Sequence, residues 1–276
     1  MNSDVVLMAE LFRERGFDVR VHVDGDASRS RIIAAYEQLI VETPIGSTDP
    51  VVLYYSGHGG RAPLPGWQEL QRSGKRSHLR FLVPFDMDAS TENDFRGLLA
   101  EEISHLQRRL TAKTANVTTI LDCCHSGTMS RGADLGILPK AVSRNFPTDG
   151  ALPLLEAIDA AALDRPREFD DANHLAVRVV ACDPLQSAYE RNSVLGGRHG
   201  ALTEQLVIAI RALGDRPASW QVLGELIRRN IAAELPLQRP EVEGPAMRLP
   251  FSLTTRGEPG ALPVTVAGDG LTIEPA

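Results

Sequence analysis

Short apolar segments alternate with amphipathic helical segments along most of this 276-residue chain. Residues 51–55, 117–121 and 177–181 have the length and composition of buried strands. Helical periodicity precedes them, for instance at 98–110. This strand–helix–strand order predicts a three-layer α/β/α sandwich with a mostly parallel sheet.

The remaining segments extend this pattern. The pattern of residues 4–15 predicts an amphipathic helix that Gly16 ends, and the alternating segment 17–23 predicts a strand. The polar stretch 61–78 predicts an irregular surface loop, and the alternating tail predicts a small β extension. Further helices are predicted at 28–40, 152–163, 201–213 and 218–234, with one more strand at 81–84.

Composition limits the class of protein. A formal net charge of −7 argues against nucleic-acid binding, and no apolar run approaches the ~20 residues of a membrane span. Two of the three cysteines are adjacent, so a disulfide framework is not expected. With no signal peptide evident, we expect a cytoplasmic protein without membrane or nucleic-acid partners and leave its oligomeric state open.

Two predicted strands end in segments that can carry chemistry. Ser-Gly-His-Gly-Gly follows the first at 56–60, and Asp-Cys-Cys-His-Ser-Gly occupies 122–127. Sites in such sheets form at the carboxyl ends of strands. We therefore expect His58 and Cys124 to form a catalytic pair, the imidazole generating the thiolate nucleophile. The backbone N–H groups of Gly59 and Cys124 could form an oxyanion hole.

Simpler interpretations remain open at this point. The loop around His58 could be an ordinary turn, and Cys124 a small buried apolar residue. Cys123, Cys124 and His125 could suggest a metal site, but adjacent ligands give poor tetrahedral geometry, and we expect no metal. Strand alternation places Cys123 on the face opposite Cys124.

The segments Tyr-Tyr-Ser-Gly-His-Gly (54–59) and 122–127 resemble the two catalytic motifs of caspase-like peptidases, most closely metacaspases and related bacterial proteins. Supporting pieces follow in the right order. They are Leu-Val-Pro-Phe-Asp at 82–86, Gln186, Ala188 and Glu190, and His-Gly-Ala-Leu-Thr at 199–203. The resemblance implies a caspase-like domain over 1–250. Within it, the stretch at about 128–150 is rich in Ser, Gly, Pro and Arg, which predicts a flexible linker, and the alternating residues after the domain predict a small β tail at 251–276.

By this resemblance, the chain is a cysteine endopeptidase that cleaves protein or peptide substrates after Arg or Lys. Its S1 pocket, which receives the side chain before the cleaved bond, would be built from Asp122, Ser56 and Asp4. Two carboxylates would favour a guanidinium. Asp4 could instead cap a helix, and Asp122 could hold backbone N–H groups.

Three departures from the family pattern matter. The family's sheet begins with an apolar strand before the segment that matches Asp4, so we expect this sheet to lack that strand; either the true start of the protein lies upstream, or another segment or chain fills the gap. The acid-rich stretch that accompanies calcium dependence is absent, which leaves Asp86 and Asp88 as weak calcium candidates and predicts no cofactor. The cysteine motif is not the Gln-Ala-Cys form of animal caspases, which disfavours Asp specificity.

The linker contains three basic residues, Arg131, Lys140 and Arg144, that are candidate autocleavage points. Two rival functions remain. One is an inactive caspase-like module that binds partners or scaffolds a complex, and the other is a cysteine hydrolase with a non-peptide substrate.

Overall fold

The computed structural model describes residues 2–75, 77–124, 137–140, 146–158, 173–183, 186–214, 216–256, 264–267 and 270–273. The helices are α1 (Asn2–Glu14), α2 (Arg29–Glu42), α3 (Trp67–Arg72), α4 (Ala100–Thr111), α5 (Ala151–Ile158), α6 (Ala201–Leu213) and α7 (Trp220–Glu234). The strands are β1 (Val51–Ser56), β2 (Gly59–Pro63), β3 (His78–Leu82), β4 (Leu98–Leu99), β5 (Val117–Asp122), β6 (Leu138–Pro139), β7 (Val177–Val180), β8 (Tyr189–Asn192), β9 (Arg198–Gly200), β10 (Glu241–Glu243), β11 (Val264–Ala267) and β12 (Gly270–Ile273).

A four-stranded sheet in the order β1-β5-β7-β10 forms the centre of the fold. The first three strands are parallel, and β10 joins antiparallel to β7. Every residue of β5 is buried, as expected for a parallel strand covered on both faces, whereas every residue of β1 is only half-buried. The difference arises because β1 is the outermost strand of this sheet in the described part of the chain.

Helices cover both faces of the sheet, which confirms the three-layer architecture. Side chains of α1, α6 and α7 pack with Ile120 of β5 and Val179 of β7 in one cluster. On the other face, α2 and α4 contribute Tyr36 and Leu110 to a second cluster around Val117. The alternation of β5 side chains between the two clusters is the expected period of two.

Two local expectations were wrong. Residues 17–23, predicted as a strand, form none, because no strand lies beside them in the described chain. The stretch 61–78, predicted as an irregular loop, contains most of β2, then α3 and the start of β3. β2 and β3 pair antiparallel, and Ala62, Leu79 and Phe81 bury their side chains against α5 residues. Because residues 61–78 are mostly polar, the short alternation of buried and more exposed residues in β2 and at the start of β3 was not recognised from the sequence.

The structure also describes parts of the predicted C-terminal tail and of the predicted linker. The small C-terminal β extension is the antiparallel pair β11 and β12. Phe251, which the sequence placed in the tail, packs its ring against Phe12, Phe17 and Trp220. The folded body therefore extends past residue 250. Of the linker predicted at 128–150, the structure describes 137–140 and 146–150.

Candidate active site

His58 and Cys124 follow the ends of two neighbouring strands whose last residues are in register. Ser56 pairs with Asp122 at the carboxyl ends of β1 and β5, and the Gly57 N–H donates to the Asp122 carbonyl at 3.3 Å. Each candidate catalytic residue follows two positions later. Adjacent strands lie about 4.8 Å apart, so both residues are at the same edge of the sheet.

The loop that carries His58 is fixed by its backbone. The His58 carbonyl accepts hydrogen bonds from the Val83 N–H (3.0 Å) and the Tyr55 hydroxyl (2.9 Å). The Tyr55 ring lies so close to Gly57 that a Cβ there would collide with it, so this position requires glycine. The Leu-Val-Pro-Phe-Asp segment noted in the sequence therefore supports the His58 loop through Val83.

Burial lowers the pKa of His58, while the Lys140 backbone and the Glu190 carboxylate act in the opposite direction. The net shift favours the neutral imidazole, the form that can accept a proton from a thiol. His58 Nδ1 is buried and has no hydrogen-bond partner in the described residues.

None of the three cysteines forms a disulfide, and all three are buried. Cys124 lies in the cluster formed by α1, α6 and α7, and Cys123 lies in a cluster on the opposite face with Leu121 and Val180. The alternation expected from the sequence is thus confirmed. Burial raises the pKa of Cys123, with further contributions from Cys124 and Asp122.

The three residues predicted to form an S1 pocket lie together. Ser56 Oγ donates to Asp4 Oδ2 at 2.6 Å, and all three contact one side chain, that of Lys140. Lys140 Nζ is 2.9 Å from Asp4 Oδ2, 3.1 Å from Asp122 Oδ2 and 2.8 Å from Ser56 Oγ. Lys140 and both carboxylates are completely buried.

The backbone of Lys140 is bound as well. Its N–H donates to the Ala188 carbonyl at 2.8 Å, and its carbonyl accepts from the Gly59 N–H at 3.1 Å. The preceding β6 residues pair antiparallel with β8, with Pro139 opposite Tyr189. The segment 138–140 therefore lies as an added strand on β8, and its last carbonyl contacts one of the two predicted oxyanion donors.

Both carboxylates also bind the amino-terminal end of α6. Asp4 Oδ1 accepts from the Gly200 N–H at 3.0 Å, and Asp122 Oδ2 accepts from the Thr203 N–H (3.0 Å) and hydroxyl (2.5 Å). A helix N-terminus stabilises negative charge, which explains how two carboxylates can be buried here. A Cβ at Gly200 would collide with both Asp122 and Lys140.

Asp4 and Lys140 each shift the pKa of the other toward the charged form. Burial opposes ionisation of Asp4, but the Lys140 ammonium and the hydrogen bonds from Ser56 and Gly200 lower the Asp4 pKa below its ordinary value. Burial likewise opposes charge on Lys140, but Asp122 and Asp4 raise its pKa. The described side chains thus enclose the Lys140 ammonium between two carboxylates at the end of the segment 138–140.

The positions of Asp4 and Asp122 bear on the simpler structural roles considered for them, a helix cap for Asp4 and a ligand of backbone N–H groups for Asp122. Asp4 is inside α1 and is not its cap, whereas Asp122 does hold a backbone N–H while contacting Lys140. Sequence reasoning missed three contributors: His199, whose Nδ1 is 3.0 Å from Asp4 Oδ1, together with Gly200 and Thr203. Their signal was the His-Gly-Ala-Leu-Thr motif, which was noted without a physical role.

The remaining sequence-predicted sites give a mixed result. Asp86, a weak calcium candidate, accepts the Arg29 N–H at 2.7 Å and lies 3.5 Å from Arg96. The part of the chain that the structure describes holds no group of three or more His, Cys, Asp or Glu side chains arranged to bind a metal. His125, Arg131 and Arg144 lie outside the described residues.

Within the part of the chain that the structure describes, no helix combines the length and apolar character needed to cross a membrane.

A parallel sheet with a histidine and a cysteine at the ends of neighbouring strands, beside an acidic pocket, defines a class of cysteine-peptidase fold. Comparison with known proteins agrees with this class. The family model of the caspase domain matches residues 1–250, and the chain belongs to that family.

Individual relatives are more distant. The chain is 29% identical to metacaspase-9 of Arabidopsis thaliana over 180 residues, covering 60% of this chain and 48% of that protein. It is 33% identical to metacaspase-6 of the same plant over 84 residues, covering 30% and 19%. The chain thus spans less than half the length of these relatives. A crystal structure of a Geobacter sulfurreducens protein matches with a TM-score of 0.61 and 23% identity, covering 90% of this chain and 88% of that one, which supports the fold alone.

Proposed function

We propose that this chain is a cysteine endopeptidase that cleaves polypeptides after Arg or Lys. The observation that carries the proposal is the placement of Lys140. Its ammonium contacts Asp4 and Asp122, its N–H and carbonyl are hydrogen-bonded to Ala188 and Gly59, and the preceding residues pair with β8. This is how a substrate residue would be held before the cleaved bond, with backbone pairing for affinity and a pocket for specificity.

Chemistry follows from these positions. Cys124 loses its thiol proton to His58, and the thiolate attacks the carbonyl carbon of the basic residue. The carbonyl oxygen becomes an oxyanion that accepts hydrogen bonds from the Gly59 and Cys124 N–H groups. When the C–N bond breaks, His58 returns the proton to the leaving amine. Water then hydrolyses the thioester, releasing the new carboxylate and restoring the thiol.

The pocket has acceptor capacity for arginine as well as lysine. Asp122 Oδ1 is buried and has no hydrogen-bond partner within the described residues. An ammonium has three donors, whereas a guanidinium has five in a planar array. We therefore expect arginine substrates to be cleaved at least as well as lysine substrates.

The direct test is a set of fluorogenic peptides that differ only in having Arg, Lys or Asp before the cleaved bond. They are assayed with the wild-type chain, Cys124→Ala and Cys123→Ala, each with and without calcium. Cys123→Ala is the matched control because its sulfur lies on the opposite face of the sheet. We expect hydrolysis of Arg and Lys peptides by wild type and Cys123→Ala only. Equal rates with Cys124→Ala would reject the nucleophile, and turnover of the Asp peptide alone would reject the acidic pocket.

The same assignment predicts cleavage after Lys140 within the chain itself. Intact-mass measurement of purified wild type should detect a fragment that ends at Lys140, and Cys124→Ala should remain whole. Lys140→Gln should block that cut and leave the pocket open to added substrate. Cleavage of the Lys140→Gln chain at residue 140 would contradict the assignment.

A further inference from the structure

A second buried thiol, that of Cys182, lies on the strand next to the one that carries Cys124. β5 and β7 are parallel, and their last paired residues are Leu121 and Val180. Continued by two residues, this register sets Cys182 opposite Cys123 and one residue short of Cys124. A strand spacing of about 4.8 Å and a rise of about 3.3 Å per residue then put the Cα atoms of Cys182 and Cys124 about 6 Å apart. This separation is inside the range of roughly 4.4–6.8 Å that a disulfide spans.

The side chain of Cys182 shares its surroundings with Cys124. Both cysteines belong to the apolar cluster formed with α1, α6 and α7, whereas Cys123 belongs to the cluster on the opposite face. Cys182 Sγ lies 3.9 Å from the Cys123 carbonyl oxygen, which is part of the peptide bond that leads into Cys124. A planar trans peptide places that oxygen about 2.8 Å from the Cys124 Cα. The Cys182 sulfur therefore lies next to the backbone that carries the Cys124 sulfur.

The two thiols differ in how readily they ionise. Burial raises the pKa of the Cys182 thiol, and Cys124 and Cys123 raise it further. Oxidants react with thiolates rather than thiols, so the Cys182 side chain is protected from direct oxidation. In the proposed peptidase, His58 takes the proton from Cys124 and generates its thiolate. An oxidant therefore reacts first at Cys124, and Cys182 is the thiol that can react second.

We propose that Cys124 and Cys182 form a reversible disulfide when a hydroperoxide oxidises the chain. The Cys124 thiolate attacks the O–O bond, becomes a sulfenic acid and releases hydroxide, or alkoxide from an organic peroxide. The Cys182 sulfur then attacks the sulfenic sulfur, so that the S–S bond forms and the S–O bond breaks. The departing hydroxide takes the Cys182 proton and leaves as water. An external dithiol reduces the bond to two thiols and is itself oxidised to a disulfide.

The disulfide would switch hydrolysis off and protect the nucleophile at the same time. A sulfur held in a disulfide cannot attack a peptide carbonyl, but thiols restore it, whereas they do not restore a sulfinic acid. This modification site depends on the thiolate character of Cys124 in the proposed peptidase. The bond is detected by mass whether or not the chain hydrolyses peptides, so the failure of one proposal is distinguishable from the failure of the other.

The test treats the purified full chain with excess hydrogen peroxide in the absence of reductant. Remaining thiols are alkylated with N-ethylmaleimide in denaturant, and mass spectrometry of the non-reduced peptides locates any disulfide. We expect a Cys124–Cys182 link in wild type and in Cys123→Ala, and no disulfide in Cys124→Ala or Cys182→Ser. Cys123→Ala is the matched control, because its side chain lies on the opposite face and its removal leaves one cysteine in that segment.

Activity on an arginine peptide gives a second measurement. Peroxide should lower the rate of wild type at least about tenfold, and dithiothreitol should restore it. The Cys182 thiol donates to the Gln186 carbonyl at 3.4 Å, and Cys182→Ser keeps a donor there, so we expect full activity before oxidation. After peroxide, the Cys182→Ser chain should stay at least about tenfold below its starting rate in dithiothreitol, because its sulfenic acid is oxidised further.

Three results would overturn the proposal. The first is an alkylated Cys182 beside an oxidised, unlinked Cys124 in peroxide-treated wild type. The second is a Cys123–Cys182 disulfide in Cys124→Ala, because the link would then not involve the nucleophile. The third is equal recovery of wild type and Cys182→Ser in dithiothreitol, because Cys182 would then not protect Cys124. If Cys182→Ser does not fold, the map of cross-links in wild type and Cys123→Ala decides the outcome.

Discussion

The strand β1 is held very differently at its end and along its edge. At its carboxyl end, Ser56 joins a buried cluster in which Lys140 contacts two carboxylates and those carboxylates bind the amino-terminal end of α6. Along its edge, the same strand faces a groove of about 640 Å³ and no described strand. The charged contacts thus order the candidate site locally, whereas the edge of β1 beside it has backbone groups that no described strand pairs with.

The largest expected effect comes from removing a charge at the ordered end. Asp122→Asn keeps the size of the side chain but leaves Lys140 with one carboxylate and weakens the bond to the α6 N-terminus. We expect the free energy of unfolding to fall by about 3 kcal/mol, measured by urea denaturation in a Cys124→Ala background so that the chain remains whole. Hydrolysis of an arginine peptide by the otherwise wild-type chain should fall about a hundredfold in kcat/KM.

Asp49→Asn is the matched control, because Asp49 is exposed and lies outside the cluster. It should change the unfolding free energy by less than about 0.5 kcal/mol. If Asp122→Asn behaves like Asp49→Asn, the buried cluster does not stabilise this end of β1.

A smaller effect is expected from acid. Because the folded pKa of Asp4 is lowered below its ordinary value of 3.8, its carboxylate adds stability that is fully present above that value and is lost as pH falls through the lowered pKa. In the Cys124→Ala background, the difference in unfolding free energy between the chains with and without Asp4→Asn should stay constant from pH 7 to about pH 4 and narrow only below.

The groups that face Asp4 are Lys140 and His199. Lys140 remains charged throughout this range. A difference that already narrows between pH 7 and 5 would contradict the prediction.

The positions of most candidate site residues at the carboxyl end of β1 could be predicted from the sequence, because these residues lie within short motifs. Ser56, His58, Asp122 and Cys124 all lie in short segments next to apolar runs, so strand order alone brought them to one edge. Asp4 came only from the family resemblance, because nothing in its own segment indicates a contact with residue 140.

The remainder depended on contacts that sequence patterns do not specify. Lys140 was one of three equivalent basic residues in a linker, and only the pairing of β6 with β8 distinguishes it. Residues 17–23 alternate as a strand should, yet form none, because pairing needs a neighbour as well as propensity. The roles of Gly200 and Thr203 depend on where α6 begins relative to Asp122, which is a tertiary feature.

The smallest expected effect compares one substitution on the two sides of the sheet. Val179 is 1% exposed in the cluster under α1 and α6, whereas Val52 is half-buried and lines the groove. In the Cys124→Ala background, Val179→Ala should lower the unfolding free energy by about 2 kcal/mol and Val52→Ala by less than about 1 kcal/mol, since a side chain beside open space loses fewer contacts. A cost for Val52→Ala that equals the Val179→Ala cost would mean that the edge of β1 is already as tightly packed as its centre, and the contrast between the two regions would not hold.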